Sequence, residues 1–585
     1  MHSTTSRRTF VKGLAAGGLL GGLGLWRPPV WALTSPGQPT VLAGSEFDLF
    51  IDQTPVNLTG RARTALTVNG SLPGPLLRWR EGDTVTLRVK NRLGEPTSIH
   101  WHGILLPSTM DGVPGLSFKG IEPGGLYVYQ FKVKQHGTYW YHSHSGLQEQ
   151  QGVYGPLVID PKEPEPYSYQ RDYVVMLSDW TDEDPIALMK TLKKQSDYYN
   201  LHKPTLGDFI RDVGKQGWSA TAADRLMWAQ MKMNPTDLAD VSGETYTYLL
   251  NGQPPGQNWT GVFKTGETIR LRFINGSAMT YFDVRIPGLK MTVIAADGQP
   301  VKPVSVDEFR IAVAETYDVL VEPVAEAYTL FAQSMDRTGY ARGTLARQMG
   351  ATASVPPLDP RPWLTMDDMG MGGMDHGAMA DMPGMEGMDH GAMADMSGME
   401  GMDHSAMGAM AMQKHPASEQ NNPLVDMQAM NPMPKLDDPG IGLRNNGRRV
   451  LTYADLRSTF EDPDGRDPSR TVELHLTGHM EKFAWSFNGV KFSDAEPLQL
   501  TYGERVRVVL VNDTMMAHPI HLHGLWSDLE DENGQFQVRK HTVDMPPGSR
   551  RSYRVTADAL GRWAYHCHLL YHMEMGMFRE VRVHE

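Results

Sequence analysis

Residues 566–577 read HCHLLYHMEMGM and contain Cys567, the only cysteine in a chain of 585 residues. The imidazole of His572 follows this thiol after five residues, and the thioether of Met577 follows it after ten. Cysteine, histidine and a weak axial methionine are the ligands of blue-copper electron-transfer sites. The stretch therefore predicts most of one copper site, which needs only a second histidine from elsewhere in the chain.

The two histidines that flank Cys567 are predicted to bind other metal ions. Successive side chains of a strand point to opposite faces, so His566 and His568 share one face while Cys567 points to the other. A copper ion held by Cys567 would then be connected, through the backbone between adjacent residues, to metals held by His566 and His568.

Three further His-x-His pairs occur at residues 100–102, 142–144 and 521–523. Histidines at positions i and i+2 of a strand face the same way, so each pair can bind one metal cluster. His518 lies three residues before His521 and has the opposite parity, so it is expected to point towards the copper of Cys567. The histidines expected in the cluster are His100, His102, His142, His144, His521, His523, His566 and His568.

These segments resemble the four motifs of the multicopper oxidases, His-x-His-Gly, His-x-His, His-x-x-His-x-His and His-Cys-His-x-x-x-His, and all four are intact. The resemblance implies four copper ions. A type 1 copper takes an electron from the substrate and passes it through the Cys-His link to a trinuclear centre, where dioxygen becomes water. By motif position the type 1 ligands are His518, Cys567, His572 and Met577. The type 2 ligands are then His100 and His521, and the type 3 ligands are His102, His142, His144, His523, His566 and His568.

Zinc is the main alternative metal, because histidine and cysteine are also its ligands. Structural zinc sites take four ligands in tetrahedral geometry, however, and one cysteine beside ten histidines exceeds that set. The methionine thioether also favours copper. The histidines predicted to be surface or hydrogen-bonded residues rather than ligands are His136, His202, His475, His479, His541 and His584.

The length of the chain is enough for three or more domains, and its hydrophobic share of 40% is enough for buried cores. One cysteine excludes an internal disulfide, so sheet packing must hold the fold together. Short strand-like runs, such as residues 84–89 and 505–511, alternate with Gly/Pro turns. This pattern is typical of β-sandwiches and β-barrels.

The resemblance to three-domain multicopper oxidases implies an all-β fold of three cupredoxin-like β-sandwich domains with a Met-rich insertion. Half of the histidine pairs come from each end of the chain, so the trinuclear centre is expected where the first and third domains meet. The middle domain carries none of them and is interpreted as a spacer, which two-domain copper nitrite reductases lack. The predicted segments are a signal peptide at 1–32, domains at 41–160, 165–346 and 441–585, and the insertion at 347–440.

Within the middle domain, residues 183–240 break the strand pattern and contain helix-like pieces. Ala223, Met227 and Met231 recur every four residues with Leu226 beside them, which predicts one buried helical face. Core packing, rather than copper binding, is the expected role of these methionines.

The amino terminus carries Arg7 and Arg8, then an apolar stretch at 13–25 and a small-residue site near Ala32. This pattern resembles a twin-arginine export signal, too short and glycine-rich for a stable membrane span. A periplasmic location is the expected consequence, and no other stretch is apolar enough to cross a bilayer. The formal net charge of −13 gives no basic surface for nucleic acid.

Between Met366 and Met433 lie 18 of the 36 methionines, in a 14-residue repeat rich in glycine and alanine. This composition predicts a mobile loop. Thioethers suit Cu(I), and Asp-His pairs add harder donors, so the repeat is a candidate copper collector that also covers the type 1 site against bulky organic substrates. A low-complexity linker without ligands is the alternative. The candidate substrate-copper ligands are Met374, His376, Met388, His390, Met402 and His404.

The repeat, the export signal and the helical insert together resemble the copper-resistance branch of the family. That resemblance implies oxidation of Cu(I) to Cu(II), with four such events reducing one dioxygen to two waters. Cu(I), dioxygen and periplasmic copper chaperones are the expected partners. Asp111 matches the family acid that delivers protons.

Two positions depart from the pattern of cuprous-oxidising relatives. Thr514 replaces the carboxylate of their Asp-Met-Met-x-His approach, so Asp513 is expected to stand in for it, while Met516 matches the substrate methionine. Met573 stands where some relatives place a glutamate of the proton path, and Glu574 is the candidate one residue later.

Two other functions compete with cuprous oxidation. One is a laccase-like phenol oxidase, which requires the insertion to leave the type 1 edge open. The other is a periplasmic copper-sequestering protein that acts through the methionine repeats. The intact Cys-His bridge favours an oxidase, because storage does not need an electron path.

Overall fold

The computed structural model describes residues 39–371 and 413–585, which form six β-sheets in three consecutive pairs. The predicted signal peptide at 1–32 lies outside the described residues. So do the six candidate ligands of the repeat, Met374, His376, Met388, His390, Met402 and His404.

The first sandwich joins a sheet of order β1-β4-β9-β8-β6 to one of order β3-β2-β5-β7. In β2, Phe47, Leu49 and Ile51 are buried while Glu46 and Asp48 are exposed, which is the two-residue alternation of a strand with one face on the core. The strands are β1 (Val41–Ala43), β2 (Glu46–Val56), β3 (Arg63–Val68), β4 (Leu76–Arg80), β5 (Thr84–Asn91), β6 (His100–His102), β7 (Leu126–Lys132), β8 (Gly137–His142) and β9 (Tyr154–Asp160).

The second sandwich has sheets of order β11-β10-β13-β18-β15-β16 and β12-β20-β19-β14-β17. All seven residues of β13 are buried, because neighbouring structure covers both of its faces. The strands are β10 (Arg171–Thr181), β11 (Tyr246–Leu250), β12 (Trp259–Val262), β13 (Ile269–Asn275), β14 (Phe282–Arg285), β15 (Met291–Ala296), β16 (Gln299–Val306), β17 (Glu308–Ile311), β18 (Thr316–Val321), β19 (Ala327–Ser334) and β20 (Tyr340–Ala346).

The third sandwich has sheets of order β22-β21-β24-β29-β26-β27 and β23-β31-β30-β25-β28. The second of these sheets carries the ligand motifs on β25 and β30. The strands are β21 (Arg470–His479), β22 (Ala484–Phe487), β23 (Leu498–Thr501), β24 (Arg505–Asn512), β25 (His518–Leu522), β26 (Ser527–Glu530), β27 (Phe536–Lys540), β28 (Thr542–Met545), β29 (Arg550–Thr556), β30 (Gly561–Cys567) and β31 (Phe578–His584).

Helices interrupt this β architecture in two places. The insert of the second domain contains α1 (Pro185–Lys194), α2 (Leu206–Gln216) and α3 (Trp218–Met231), and α4 (Leu570–Glu574) precedes the last strand. The predicted helix around residue 225 is thus present, but its predicted face is only partly buried, because Ala223, Met227 and Met231 are half-buried and Leu226 is exposed. Trp228 is 3% exposed whereas Leu226 is 60% exposed. None of these helices, within the described ranges, is long and apolar enough to cross a membrane.

The ends of the predicted insertion pack against the domains. Met369 and Met427 are buried, and the backbone N–H of Asn431 donates to the carbonyl oxygen of Gly370 at 2.9 Å. The backbone N–H of Gln413 donates to Met430 at 3.2 Å. The two described ends of the insertion are therefore neighbours in space.

Buried ion pairs join the three domains. Asp172 of the second domain binds Arg78 of the first at 3.2 Å. Lys540 of the third domain, itself fully buried, lies 3.0 Å from both Asp297 and Glu315 of the second. Because each partner of a buried pair would be costly to leave alone, these contacts fix the relative positions of the domains.

Candidate metal centres

Two strand pairs place the histidine motifs at the interface of the first and third domains. β6 is itself the run His100–His102, and it pairs with β8 so that His100 lies opposite His142. In the third domain β25 pairs with β30, which puts His521 opposite His566. The register of these strand pairs brings imidazoles from distant segments side by side.

Eight imidazoles form one buried cluster across this interface. His100 stacks on His523 with ring centroids 3.9 Å apart, and His102 stacks on His521 at 3.8 Å. Further cross-domain pairs include His142 with His568 at 4.9 Å and His144 with His566 at 5.0 Å. The cluster lies between the first and third domains, where the sequence predicts it.

Six ring nitrogens of the cluster are buried without a hydrogen-bond partner. Buried polar atoms are almost always paired, so unpaired acceptors gathered in one place indicate metal sites. Burial and neighbouring imidazoles lower the pKa of His566 to about 3 and hold the pKa of His523 well below its ordinary value. These shifts keep the two rings neutral, as metal ligands must be. The unpaired atoms are Nε2 of His100, His142, His144, His521 and His568 and Nδ1 of His102.

Backbone carbonyl groups decide which nitrogen of a ring faces the cluster. The Nδ1–H of His100 donates to the carbonyl oxygen of Asp111 at 2.8 Å. The Nδ1–H of His521 donates to the carbonyl oxygen of His541 at 2.6 Å. Partners of this kind fix the tautomer and orientation of metal-binding histidines, so the Nε2 lone pairs are aimed at the cluster.

Two buried carboxylates contact the cluster from outside. Asp111 accepts a hydrogen bond from Nδ1 of His523 at 2.8 Å, and its other oxygen lies 3.3 Å from Nδ1 of His100. Glu149 lies 2.6 Å from Nδ1 of His142. The sequence singled out Asp111 but not Glu149, because the glutamate lies in a loop without a motif that distinguishes it from other acidic residues.

His541 is a further buried residue at the cluster. Its Nδ1 lies 3.1 Å from Nε2 of His102, and its backbone N–H donates to Asp297 of the second domain at 3.2 Å. The sequence predicts a surface or hydrogen-bonded role for His541, and the hydrogen bond is present, but its partner is a cluster histidine. Because Nε2 of His102 is engaged here, Nδ1 is the nitrogen of His102 that faces the cluster.

A second group of ligand atoms surrounds Cys567. Its Sγ lies 3.5 Å from Nδ1 of His518 and 3.9 Å from Nδ1 of His572, and these two nitrogens are 3.1 Å apart. The backbone N–H of Cys567 donates to the carbonyl oxygen of Met577, whose side chain is buried. His566, the residue before Cys567, faces the histidine cluster, so strand alternation separates the two groups as predicted.

Outer contacts hold both imidazoles beside Cys567. Oγ1 of Thr514 lies 2.8 Å from Nε2 of His518, and the Nε2–H of His572 donates to Asp240 at 2.8 Å. Trp485 stacks on His572 with ring centroids 3.9 Å apart. The hydroxyl of Thr514 thus contacts His518, while the second domain supplies a carboxylate to His572.

Three other predicted site residues have different surroundings. Asp513 is buried, and its carboxylate oxygens are engaged by the backbone N–H of Ala429 at 2.7 Å and by His475 at 2.6 Å. Met516, two residues before His518 in the sequence, has a buried side chain. Glu574 is exposed at the end of α4. The structure therefore does not bring Glu574 into the cluster, because each step along a helix rotates the side chain by about 100°.

Comparisons with known proteins agree with this architecture. Models of the multicopper oxidase family match residues 51–164, 171–350 and 465–585. The chain is 77% identical to the copper resistance protein A homolog of a Pseudomonas syringae pv. tomato strain, over 100% of both chains. It is 71% identical to copper resistance protein A of Escherichia coli, over 99% of both chains.

A solved structure shows the same fold at low sequence identity. Fet3p, a multicopper oxidase that functions in iron import, is 18% identical, with a TM-score of 0.62 over 93% of this chain and 90% of that chain. The all-β prediction of three cupredoxin-like domains is confirmed. The Cys567 group and the histidine cluster fit the type 1, type 2 and type 3 coppers of such enzymes. The chain therefore belongs to the multicopper oxidase family of enzymes, as a three-domain member.

Proposed function

We propose that this enzyme oxidises Cu(I) to Cu(II) with dioxygen as the electron acceptor, in the periplasm, and that the reaction serves copper resistance. The bound copper ions would supply one-electron transfer from the substrate and the reduction of dioxygen to water. His518, Cys567, His572 and Met577 would hold the type 1 copper. The type 2 copper would be held by His100 and His521, and the type 3 pair by His102, His142, His144, His523, His566 and His568.

The observation that carries the substrate assignment is an acidic cavity beside His572. The lining of this cavity includes the carboxylates Asp237, Asp240 and Asp336 and one guanidinium, that of Arg361. Burial and the neighbouring Asp240 raise the pKa of Asp237 well above its ordinary value, because clustered carboxylates repel one another. A cation in the cavity would relieve this repulsion, whereas a neutral phenol would not.

Asp240 also offers a short path for the electron. A cation bound at its carboxylate would be one hydrogen bond away from His572, a proposed ligand of the type 1 copper. Carboxylate oxygens are hard ligands that stabilise Cu(II) relative to Cu(I). Binding at Asp240 would therefore make the cuprous ion a better electron donor.

The test is oxygen uptake by the copper-loaded protein with Cu(I) as the sole reductant. Asp240→Asn keeps an oxygen for His572 but cannot carry the negative charge that a bound cation would stabilise. We expect its kcat/KM for Cu(I) to fall about tenfold or more, since a nearby charge contributes at least about 1.4 kcal/mol to cation binding in a partly buried site. Asp83→Asn, which changes an exposed carboxylate of the first domain, should match the wild type.

Two comparisons separate the competing functions. Cys567→Ser should abolish oxygen uptake, and equal protection of cells by this variant and the wild type would instead support sequestration. Turnover of a dimethoxyphenol should be similar in Asp240→Asn and the wild type. An equal loss of phenol and Cu(I) turnover would contradict a cation-specific role for Asp240 and favour the laccase-like alternative.

The periplasmic assignment rests on the amino-terminal sequence. Arg7, Arg8 and the apolar stretch that follows support export of the folded protein, with periplasmic copper chaperones as candidate donors of copper. Replacing both arginines by lysine should retain the protein in the cytoplasmic fraction. Unchanged recovery from the periplasm would contradict the twin-arginine route.

A further inference from the structure

Another group of potential metal ligands lies where the described chain resumes after the methionine repeat. His415 and Glu419 lie before and at the end of a short 3-10 helix (Ala417–Glu419). His475 lies on β21, and Asp513 directly follows β24. The sequence predicts a surface or hydrogen-bonded role for His475 and does not connect it with Asp513.

Donor atoms of these four side chains lie close together. Oδ2 of Asp513 is 3.2 Å from Nδ1 of His415 and 2.6 Å from Nδ1 of His475. Oε2 of Glu419 is 3.3 Å from Nδ1 of His415, and its Oε1 is 3.7 Å from Nδ1 of His475. Ligands about 2.0–2.2 Å from one metal ion lie about 3 Å from one another, so these separations suit a shared ion.

Both imidazoles are held so that Nδ1 faces the carboxylates. The Nε2–H of His415 donates to the carbonyl oxygen of Ala429 at 3.1 Å. Nε2 of His475 lies 3.3 Å from the carboxylate of Glu473. A carbonyl or carboxylate on the far nitrogen is the arrangement that orients metal-binding histidines. The Nδ1 atoms therefore face Glu419 and Asp513, where each can hold either a proton or a metal ion.

The buried carboxylates of Glu419 and Asp513 require a positive charge beside them. The side chains of Glu419 and Asp513 are fully buried, and Oε1 of Glu419 has no hydrogen-bond partner among the described residues. Buried carboxylates that face unprotonated imidazoles repel them unless a positive charge lies between. In the described part of the chain, the cationic groups beside these carboxylates are the imidazoles themselves. The charge is thus supplied by protons on the rings or by a metal ion.

We propose that His415, Glu419, His475 and Asp513 form a divalent metal site that binds Cu(II), separate from the four-copper centre. Two imidazoles and two carboxylates suit Cu(II), whereas Cu(I) prefers thiolates and thioethers. Cu(II) is also the product of the proposed reaction. The site is argued from its own donors, however, and it would persist if the enzyme's substrate were a phenol.

The test uses the full chain with its four-copper centre already loaded. Cu(II) is added in a chelating buffer and bound copper is counted, while type 1 absorption reports that the fold is intact. Glu419→Gln keeps the acceptor for Gln428 but removes the charge, and His415→Gln removes one ring. Each should lose one bound Cu(II) per chain. His479→Gln, on the strand that carries His475 but outside the group, should lose none.

A second measurement needs no variant. Wild-type crystals soaked in Cu(II) should show an anomalous scattering peak between Nδ1 of His415 and Nδ1 of His475. Loss of one equivalent with unchanged type 1 absorption, together with this peak, supports the site. The proposal is overturned by the absence of the peak, or by an unchanged copper count in both variants. The group would then be an ion-pair network of protonated histidines.

Discussion

Single hydrogen bonds decide which atom of each histidine is available to a metal. His541 shows this twice, because its ring engages Nε2 of His102 and its backbone carbonyl engages Nδ1 of His521. One residue of the third domain thus orients an imidazole from the first domain and another from its own. His541 is in turn held by Asp297 of the second domain. We infer that it is a positioning residue for the trinuclear centre.

His541→Leu should weaken copper binding at the histidine cluster by about ten- to a hundredfold, because outer partners of metal ligands contribute this much to affinity. His541→Gln, which can still accept from His102, should retain more copper. The readouts are copper stoichiometry and the electron paramagnetic resonance signal of the type 2 ion, with type 1 absorption unchanged. His584→Leu, at an exposed histidine of the last strand, is the control. Identical type 2 signals in all variants would contradict the positioning role.

Strands and helices differ in how well the sequence predicts their faces. In β30 the two-residue alternation predicts that Cys567 and His566 point in opposite directions, and they do. In α3 the four-residue recurrence of Ala223, Met227 and Met231 selects a face about one residue away from the buried one. A helix turns by about 100° per residue, so a small error in phase moves a side chain from the core to the surface.

The buried face of α3 is tested by a pair of substitutions one helical turn or less apart. Trp228→Ala should lower the free energy of unfolding by about 3 kcal/mol, because it removes a buried aromatic ring. Leu226→Ala, at a position 60% exposed, should cost less than about 0.5 kcal/mol. Thermal unfolding of both copper-loaded variants measures the difference. A larger cost at Leu226 would show that the predicted face is the buried one.

In the whole molecule, the Cys567 group and the histidine cluster lie on opposite sides of one strand, β30. Residues of the second domain contact histidines at both groups. That domain carries none of the paired histidines, yet it supplies Asp240 to His572 and Asp297 to His541. The interpretation of it as a spacer was therefore incomplete. Residues of its helical insert also line the acidic cavity that we propose receives the substrate.

The methionine repeat is tested by deletion of residues 372–412. The backbones of Gly370 and Gln413 bond to adjacent residues, Asn431 and Met430, so a short glycine linker can join the ends. If the repeat collects copper and covers the type 1 site, the deletion should lower Cu(I) turnover and raise phenol oxidation, each several-fold. A scrambled repeat of equal length without methionine or histidine separates ligand chemistry from steric cover. Unchanged rates for both substrates would contradict both roles.

The sequence by itself determined an all-β fold of sandwich or barrel type, the histidine and cysteine motifs and their separation into two groups. These follow from local rules, because residues at i, i+1 and i+2 of a strand have fixed relative directions. Only the tertiary structure decided which residues support the motifs: Asp240 is 332 positions away from His572, and His541 is 439 away from His102. Such contacts depend on how whole sheets pack, and no local spacing encodes them. For the same reason the pairing of His415 with His475, and of Asp513 with both, emerges only when three distant segments are brought together.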